Sequence, residues 1–288
     1  MEILTILVSQ GVSISYFLRI NLLVIIQNRA STAMIVSVLN NKGGTGKTTT
    51  AVNLATATAI EGKTTLIVDL DPQGNATTGL GFEKATLSST VYNVLSQSRK
   101  AEEVLLKTRI EKLWLLPSNL DLAGAEVELS STPGREYVLR ESISPIKDQF
   151  EQVVIDCPPN IGLLTLNALV SSDLVLIPVQ CEFYPMEGLP TLLKVMDLVR
   201  SRLKAAFDYR IILTMYDRRT ALSRRVMQQV NQNFGERVLK SVIPRSVRMA
   251  EAPSKGLPGI LYRPRNPASE QYRVLAKELL QVQPLAAS

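Results

Sequence analysis

A glycine-rich stretch over residues 41–49, which reads NKGGTGKTT, constrains this chain more than any other part of its sequence. It follows the β-branched run MIVSVLN, which begins at Met34 and is typical of a buried parallel strand. It leads into AVNLATATAIEG, which has a helical pattern. Glycines in such a loop let consecutive backbone amides point inward, and the helix adds the positive end of its dipole. The order strand, glycine loop, helix therefore predicts an anion-binding loop in an α/β fold.

Two side chains complete a phosphate-binding pattern. Lys47 is placed to reach the β- and γ-phosphates of a nucleotide, and the Thr48 hydroxyl to ligate Mg²⁺. The strict pattern G-x-x-x-x-G-K-[ST] requires glycine at position 41, where this chain has Asn, so the match is to the variant K-G-G-x-G-K-T. That variant adds Lys42, which we expect to act on the γ-phosphate held by a partner subunit, as an arginine finger does. The residues expected to contact the nucleotide in this loop are Gly43, Gly44, Thr45, Gly46, Lys47, Thr48 and Thr49.

Three aspartates at predicted strand ends supply carboxylates. Asp69 lies near the end of the buried run TLIVDL, and Asp71 begins the segment DPQGN that follows it. The two aspartates share one side of the strand because side chains alternate with a period of two. Asp156 ends the apolar run VVID, which is typical of a strand whose aspartate holds Mg²⁺. Each aspartate has the alternative of capping a helix or turn. Three in order behind a phosphate loop favour the catalytic interpretation, because ligands bind at the carboxyl ends of parallel strands.

Composition excludes several kinds of chemistry. The 288-residue chain has no histidine, which excludes Ser-His-Asp and Cys-His catalysis and histidine-ligated metals. Two cysteines are too few for a disulfide scaffold, so a reducing, cytoplasmic compartment is expected. Residues 200–265 carry fifteen Lys and Arg against four Asp and Glu, within a net charge of +6 for the chain. This uneven placement favours a surface that faces a polyanion, such as nucleic acid or acidic lipid, over a merely solvated basic face.

Alternating buried strands and helices predict a doubly wound, mostly parallel sheet flanked by helices, which forms a single domain over residues 34–288. We expect residues 1–33 to be an appendage or the product of a misassigned start codon, because Glu2 and Arg19 do not suit a signal peptide or a spanning helix. The predicted strands are 34–40, 65–70, 113–116, 152–156, 174–179, 210–215 and 238–243. The predicted helices are 47–60, 121–130, 163–171, 187–204, 221–234 and 268–281.

From Met34 to about Leu280 the sequence resembles the ParA/Soj partition ATPases, within the MinD/ParA class of P-loop ATPases that have a deviant Walker A motif. The segments that carry the resemblance are KGGTGKTTTAVNLA (42–55), VDLDPQGNATTGLG (68–81), VVIDCPPNIGLLTLNAL (153–169), IPVQCEFYPMEGL (177–189), TMYDRRTALS (214–223) and IPRSVRMAEAPSKG (243–256). The resemblance implies a P-loop fold and a slow, switch-like ATPase that uses ATP and Mg²⁺.

The same resemblance implies roles for individual residues. Lys42 would cross to the partner's nucleotide in an ATP-sandwich homodimer, and Asp71 would orient the attacking water. Asp69 and Asp156 would surround the metal together with Thr48. Pro244 and Arg245 complete the expected site, because they match positions that lie near the nucleotide base in the family.

The resemblance also implies DNA partition as the function, and it leaves the cargo open between a chromosome, a plasmid and a protein assembly. The ATP-bound dimer would bind DNA without sequence preference through Arg219 and Arg248, and a ParB-like partner would trigger hydrolysis and release. Arg218, Arg224 and Arg225 are supplementary candidates. A bacterial-type protein of the cytoplasm, associated with the nucleoid, is expected.

Two alternatives remain open at this point. A MinD-like division-site regulator would need a basic amphipathic C-terminal helix, but the chain ends ELLQVQPLAAS after Lys277, so no stable membrane association is expected. An iron-sulfur carrier ATPase would share Cys157 and Cys181 between two subunits, although the chain has no C-x-x-C motif.

Overall fold

Eight strands of the described residues form one sheet, whose order is β3-β4-β2-β5-β1-β6-β7-β8. The computed structural model describes residues 33–182 and 188–282. Every neighbouring pair is parallel except β3 and β4, which are antiparallel. The strands are β1 (Met34–Val38), β2 (Thr65–Asp69), β3 (Leu106–Lys107), β4 (Leu113–Leu116), β5 (Gln152–Asp156), β6 (Leu174–Gln180), β7 (Asp208–Tyr216) and β8 (Val238–Pro244).

Helices connect the parallel strands. The α-helices are α1 (Lys47–Ile60), α2 (Asn75–Gly79), α3 (Val91–Leu95), α4 (Ala101–Val104), α5 (Leu122–Glu128), α6 (Val138–Lys147), α7 (Leu163–Ser171), α8 (Leu189–Leu203), α9 (Ala221–Phe234), α10 (Val247–Glu251), α11 (Gly259–Tyr262) and α12 (Pro267–Leu280). Short 3₁₀ helices are Lys84–Thr86, Leu129–Ser131, Arg135–Tyr137, Gly235–Arg237 and Ala252–Lys255.

The central strands are buried on both faces, because helices cover each side of the sheet. In β5, Val153 and Ile155 pack into the core beneath α6 to α9, whereas Val154 packs into the core beneath α1 and α12. In β2 the same alternation sends Val68 to the first core and Ile67 to the second. The parallel register, which pairs Val38 and Asp69 with Asp156, places the carboxyl ends of β1, β2 and β5 side by side, where β1 continues into the glycine loop.

The predicted doubly wound α/β fold is confirmed, and all seven predicted strands are present within one or two residues of their predicted ends. The predicted strand 34–40 ends at Val38, because the chain turns into the glycine loop. The predicted helix 187–204 begins at Leu189 and ends at Leu203, and residue 187 lies outside the described residues. The prediction missed β3, which is only two residues long, and α6, whose sequence VLRESISPIK contains Pro145 within its last turn.

The division of the chain near residue 33 stays a prediction. Residues 1–32 lie outside the described residues, and Ala33 begins the compact unit to which all described residues belong. Among the described residues, no helix combines the length and the apolar character that crossing a membrane requires.

Candidate nucleotide-binding site

The glycine loop between β1 and α1 is held in shape by the protein itself. Gly46 has a φ of 88° at the N-cap of α1, a left-handed conformation that side chains other than glycine rarely adopt. Thr214 in β7 donates its hydroxyl to the Thr45 carbonyl at 2.8 Å, and Asn40 donates its side-chain amide to the Pro178 carbonyl at 2.7 Å. The loop is therefore anchored to β6 and β7.

Lys47 lies on the inner side of this loop. Its side chain is buried, and its Nζ donates a hydrogen bond to the Lys42 carbonyl at 3.0 Å. Burial lowers the pKa of Lys47, and the nearby Asp156 and Asp71 carboxylates oppose this effect. The loop thus holds an ammonium group close to two carboxylates. The Lys42 carbonyl accepts its hydrogen bond, and an anionic oxygen in the same place would bind the ammonium more strongly than this neutral carbonyl does.

Asp69 ends β2 with its hydrogen-bonding capacity largely used. One carboxylate oxygen accepts the Thr77 N–H at 2.8 Å and the Thr77 hydroxyl at 2.7 Å, and the other accepts the Asp71 N–H at 3.3 Å. Burial raises the pKa of Asp69 to about 6, although the bonds from Thr77 oppose the rise. These contacts fix helix α2 to the end of β2, so Asp69 has the capping arrangement that the sequence left open as an alternative.

Asp156, at the end of the adjacent β5, has the opposite surroundings. It is completely buried, and neither carboxylate oxygen has a hydrogen bond of good geometry within the described residues. Burial and the Asp69 charge raise the pKa of Asp156 well above its ordinary value, and the Thr48 hydroxyl and Lys47 offset this only in part. An unpaired buried carboxylate is costly unless a cation or another donor completes it.

These oxygens fit a magnesium ion. A carboxylate and a hydroxyl, Asp156 and Thr48, are hard oxygen ligands, and Mg²⁺ characteristically takes one or two such groups together with phosphate oxygens and water. Within residues 33–182 and 188–282, no cluster of three or more His, Cys, Asp or Glu side chains forms a cage of its own. A magnesium site that includes nucleotide phosphates does not require such a cage.

Asp71 is held at the start of the turn that follows β2. Its Oδ1 accepts the Gln73 N–H at 2.9 Å, and its carbonyl accepts the Ser118 hydroxyl at 2.8 Å. The side chain is largely buried and acts electrostatically on Lys47 and Asp156. The structure therefore brings the three predicted aspartates and Lys47 together at one edge of the sheet.

A cleft of about 90 Å³ lies on the other side of the loop. Pro244, Met215 and Tyr272 line it together with Gly46 and Thr49. Of the predicted pair Pro244 and Arg245, only Pro244 lines this cleft. The Arg245 guanidinium binds the Glu182 carboxylate at 2.8 Å and is largely exposed. Met215, which was not among the predicted site residues, has a φ of 53°, unusual for a residue other than glycine. Its only sequence signal was its place in the segment TMYDRRTALS.

The predicted DNA-binding arginines lie on the surface. Arg219 is 84% exposed, and its guanidinium makes two bonds to the Asp217 carboxylate. Arg248, on α10, binds Glu251 at 2.8 Å and is also exposed. Arg224 donates to the Arg218 carbonyl at 2.8 Å, and both, like Arg225, are exposed.

The two cysteines are buried. Burial raises the pKa of the Cys181 thiol to about 12, and it raises that of Cys157 further. Iron-sulfur ligation uses thiolates that a cluster can reach, whereas both of these side chains are buried. This arrangement argues against the cluster shared between two subunits.

Comparisons with known proteins place this site in a family. A family model for the AAA domain matches residues 33–209. The sporulation initiation inhibitor protein Soj of Bacillus subtilis is 47% identical over 246 residues, which cover 85% of this chain and 97% of Soj. The chromosome partitioning protein ParA of Myxococcus xanthus is 43% identical and aligns over 87% of this chain and 89% of its own. The chain belongs to the ParA/Soj family of chromosome-partitioning ATPases. Both the predicted family and the predicted ATPase class are thereby confirmed.

Solved structures agree with the P-loop fold of this ParA/Soj chain. A structure of cobyrinic acid a,c-diamide synthase from Mycobacterium smegmatis with bound ADP and magnesium has a TM-score of 0.77 and 34% identity, covering 86% of this chain and 94% of that one. The cell division ATPase MinD of Pyrococcus furiosus has a TM-score of 0.70 and 25% identity, covering 87% and 100%. The curated ParA and Soj relatives are more similar in sequence than either, which favours partition over the activities named for these two structures.

Proposed function

We propose that this ATPase is a DNA-partition switch that binds ATP with Mg²⁺, dimerises, holds DNA and releases it after hydrolysis. The observation that carries the proposal is the combination of an anchored glycine loop around Lys47 with the buried Asp156, whose carboxylate oxygens have no hydrogen bond of good geometry within the described residues. That combination suits a triphosphate and a magnesium ion, the ligand set expected from the sequence. Membership of the ParA/Soj family supports the choice of partition as the process.

Within this proposal, each residue has a distinct task. The amides of residues 43–49 and the Lys47 ammonium bind phosphate oxygens, and Lys47 exchanges its bond to the Lys42 carbonyl for one to a phosphate. Thr48 and Asp156 hold Mg²⁺, which neutralises phosphate charge when bound. Asp69 acts behind them by fixing α2 through Thr77. Asp71 orients the attacking water, and Pro244 lines the cleft for the base.

The dimer and the partner rest on the family. We propose that Lys42 contacts the nucleotide of a second subunit, and that a ParB-like protein stimulates hydrolysis. Arg219 and Arg248 contact DNA phosphates in the ATP-bound state, which places the protein on the nucleoid in the cytoplasm. The excess of Lys and Arg in residues 200–265 supports this assignment independently of the family.

The membrane alternative is less well supported. Helix α12 turns Tyr272, Leu275 and Leu279 into the core, so these apolar side chains are not available to a bilayer. Flotation with vesicles of anionic lipid in the presence of MgATP tests it directly, and recovery of the protein with the vesicles would favour the MinD-like function.

The deciding experiment measures binding to a random-sequence DNA duplex with MgADP, MgATP and a slowly hydrolysed ATP analogue, at two salt concentrations. We expect binding that needs the triphosphate and weakens with salt. Lys47→Ala should abolish it through loss of the nucleotide. Arg219→Glu with Arg248→Glu should abolish it while ATP binding and dimerisation persist. Lys100→Glu with Lys107→Glu makes the same charge change on the β3 side of the sheet, away from β7 and β8, and should retain DNA binding. Absence of DNA binding by the unmodified protein in every nucleotide state would reject the proposal.

A further inference from the structure

A basic surface feature surrounds Arg248 and extends beyond the residues predicted from the sequence. Arg248 lines an open cleft of about 400 Å³, and we call this feature the arginine cleft. Its other lining residues come from the segment between α11 and α12, and they are Tyr262, Arg263, Pro264, Arg265 and Asn266. Three arginines from two separate segments therefore line one cleft.

The cleft carries more positive charge than its surroundings balance. Arg248 is paired with Glu251. Neither Arg263 nor Arg265 has an ion pair with any residue in the part of the chain that the structure describes. Two guanidinium groups without a neighbouring carboxylate form a site for an anion, since arginine presents several donors in a planar fork that matches phosphate oxygens.

The backbone beneath these arginines is fixed. The Arg263 carbonyl accepts the hydroxyl of the fully buried Ser269 at 2.7 Å and the Asn266 N–H at 3.0 Å. The Pro264 carbonyl accepts a bond from Arg273 at 3.0 Å. Asn266 caps α12 by accepting the Ala268 N–H at 2.9 Å. A loop held at three points presents its arginines with little ordering cost on binding.

The aromatic ring in the cleft is already covered. The Arg263 guanidinium lies 5.0 Å from the centre of the Tyr262 ring, within the range of a cation–π contact. The ring therefore orients Arg263, and its covered face is not open to a stacked base. Proteins that hold single strands rely on uncovered aromatic platforms, so this arrangement suits the phosphate backbone of a duplex better.

We infer that the arginine cleft binds successive backbone phosphates of duplex DNA, with Arg263 and Arg265 as contacts in addition to Arg248. The inference rests on the proposed function and deepens it, because it makes the DNA surface a built cleft of two segments in place of isolated surface arginines. Each phosphate contact adds about 0.9 to the slope of log affinity against log salt. Loss of two contacts should therefore reduce that slope by about 2.

The test compares two double variants. One carries Arg263→Gln together with Arg265→Gln, and the other carries Lys100→Gln together with Lys107→Gln. Both double variants remove two positive charges, and the second pair lies at the β3 side of the sheet. Duplex affinity is measured with MgATP across a salt series, together with ATPase rate and dimerisation. We expect at least a tenfold loss of affinity and a shallower salt slope for the arginine variant alone, with ATPase rate and dimerisation unchanged.

The outcomes separate this inference from the proposed function. If the arginine variant keeps the affinity and salt slope of the unmodified protein while Arg219→Glu with Arg248→Glu loses DNA, the cleft inference is wrong and the partition switch stands. If the unmodified protein binds no duplex, both are wrong. Val247, 70% exposed next to Arg248, makes anionic lipid the competing source of phosphate. Binding to phosphatidylserine vesicles that depends on Arg263 and Arg265, without duplex binding, would overturn the inference in favour of a membrane.

Discussion

Asp69 and Asp156 are register partners at the ends of neighbouring parallel strands, yet one carboxylate is saturated with hydrogen bonds and the other has none of good geometry within the described residues. Thr77 supplies the difference, because it bonds Asp69 through both its N–H and its hydroxyl. The pair therefore divides the work of the site. Asp69 supports the frame of the site, and Asp156 is the carboxylate that we propose as a ligand of Mg²⁺.

Replacement of Asp156 should stabilise the protein without nucleotide. Asp156→Asn removes a buried carboxylate that has no hydrogen bond of good geometry, while Asp71 remains as a second carboxylate near the Lys47 ammonium. We therefore expect the free energy of unfolding in urea to rise by about 1 kcal/mol at neutral pH. The added stability that MgATP gives the unmodified protein in thermal unfolding should be lost at the same time. The exposed Asp148→Asn is the control and should change neither quantity. A lower stability of Asp156→Asn without nucleotide would contradict the assignment.

The same variant gives a pH dependence with a defined sign. Because the pKa of Asp156 is raised in the folded state, that state binds the proton more tightly than the unfolded chain does. Its contribution to the free energy of unfolding therefore falls as pH rises through the raised pKa. The stability advantage of Asp156→Asn over the unmodified protein should grow from about pH 5 to about pH 8, as urea titrations at each pH would measure. An advantage that shrinks over this range would mean that the carboxylate is stabilised in its charged form.

Asp71 should matter for hydrolysis and not for binding. Asp71→Ala removes the carboxylate proposed to orient water, so we expect the ATPase rate to fall by about 100-fold or more while ATP affinity changes little. The variant should remain on DNA with MgATP, because the triphosphate state persists. Single-turnover hydrolysis and duplex binding measure the two effects separately. A parallel loss of ATP affinity would show instead that Asp71 supports the loop around Lys47.

Thr77 should hold the frame of the site through its hydroxyl. Thr77→Val keeps the shape of the side chain but removes the hydroxyl, which donates to the buried Asp69 carboxylate and accepts the Ser118 N–H at 2.9 Å. This loss should cost about 1.5 to 3 kcal/mol in the free energy of unfolding. Thr77→Ser retains the hydroxyl and should lose clearly less stability. Equal losses for the two variants in urea unfolding would mean that the hydroxyl contributes no more to stability than the methyl group does, which would contradict this role of the hydroxyl.

Gly81 and Gly256 should be intolerant of a side chain because their backbones touch. A Cβ on Gly81 would lie 2.9 Å from the Gly256 carbonyl oxygen, and a Cβ on Gly256 would lie 2.8 Å from the Gly81 Cα. Gly134 has a similar positive φ, 73°, but a Cβ there would meet nothing within 4 Å. Gly134→Ala should therefore cost about 1 kcal/mol, and Gly81→Ala distinctly more. Equal costs in urea unfolding would mean that the contact yields easily.

Much of this molecule follows from local sequence. The β-branched runs that end at Asp69 and Asp156 predict buried parallel strands, because such strands are apolar on both faces, and the glycine loop follows from its own residues. The two-residue β3 and the short helices were missed, because segments of that length carry no periodic signal. Helix α6 was missed although it is ten residues long, since Pro145 lies within it and proline disfavours the interior of a helix.

The sequence by itself determined the fold class, the phosphate loop and the identity of the carboxylates, because these depend on residue type and spacing within single segments. Only the tertiary structure decided which carboxylate is saturated and which is unpaired, since Thr77 reaches Asp69 from a separate helix. It also decided that Pro244 lines the cleft beside the glycine loop whereas Arg245 pairs with Glu182. In the same way it placed Arg248, Arg263 and Arg265 around one cleft. Hydrogen bonding, burial and shared charge arise between segments distant in the chain, and they exist only once the sheet has brought those segments together.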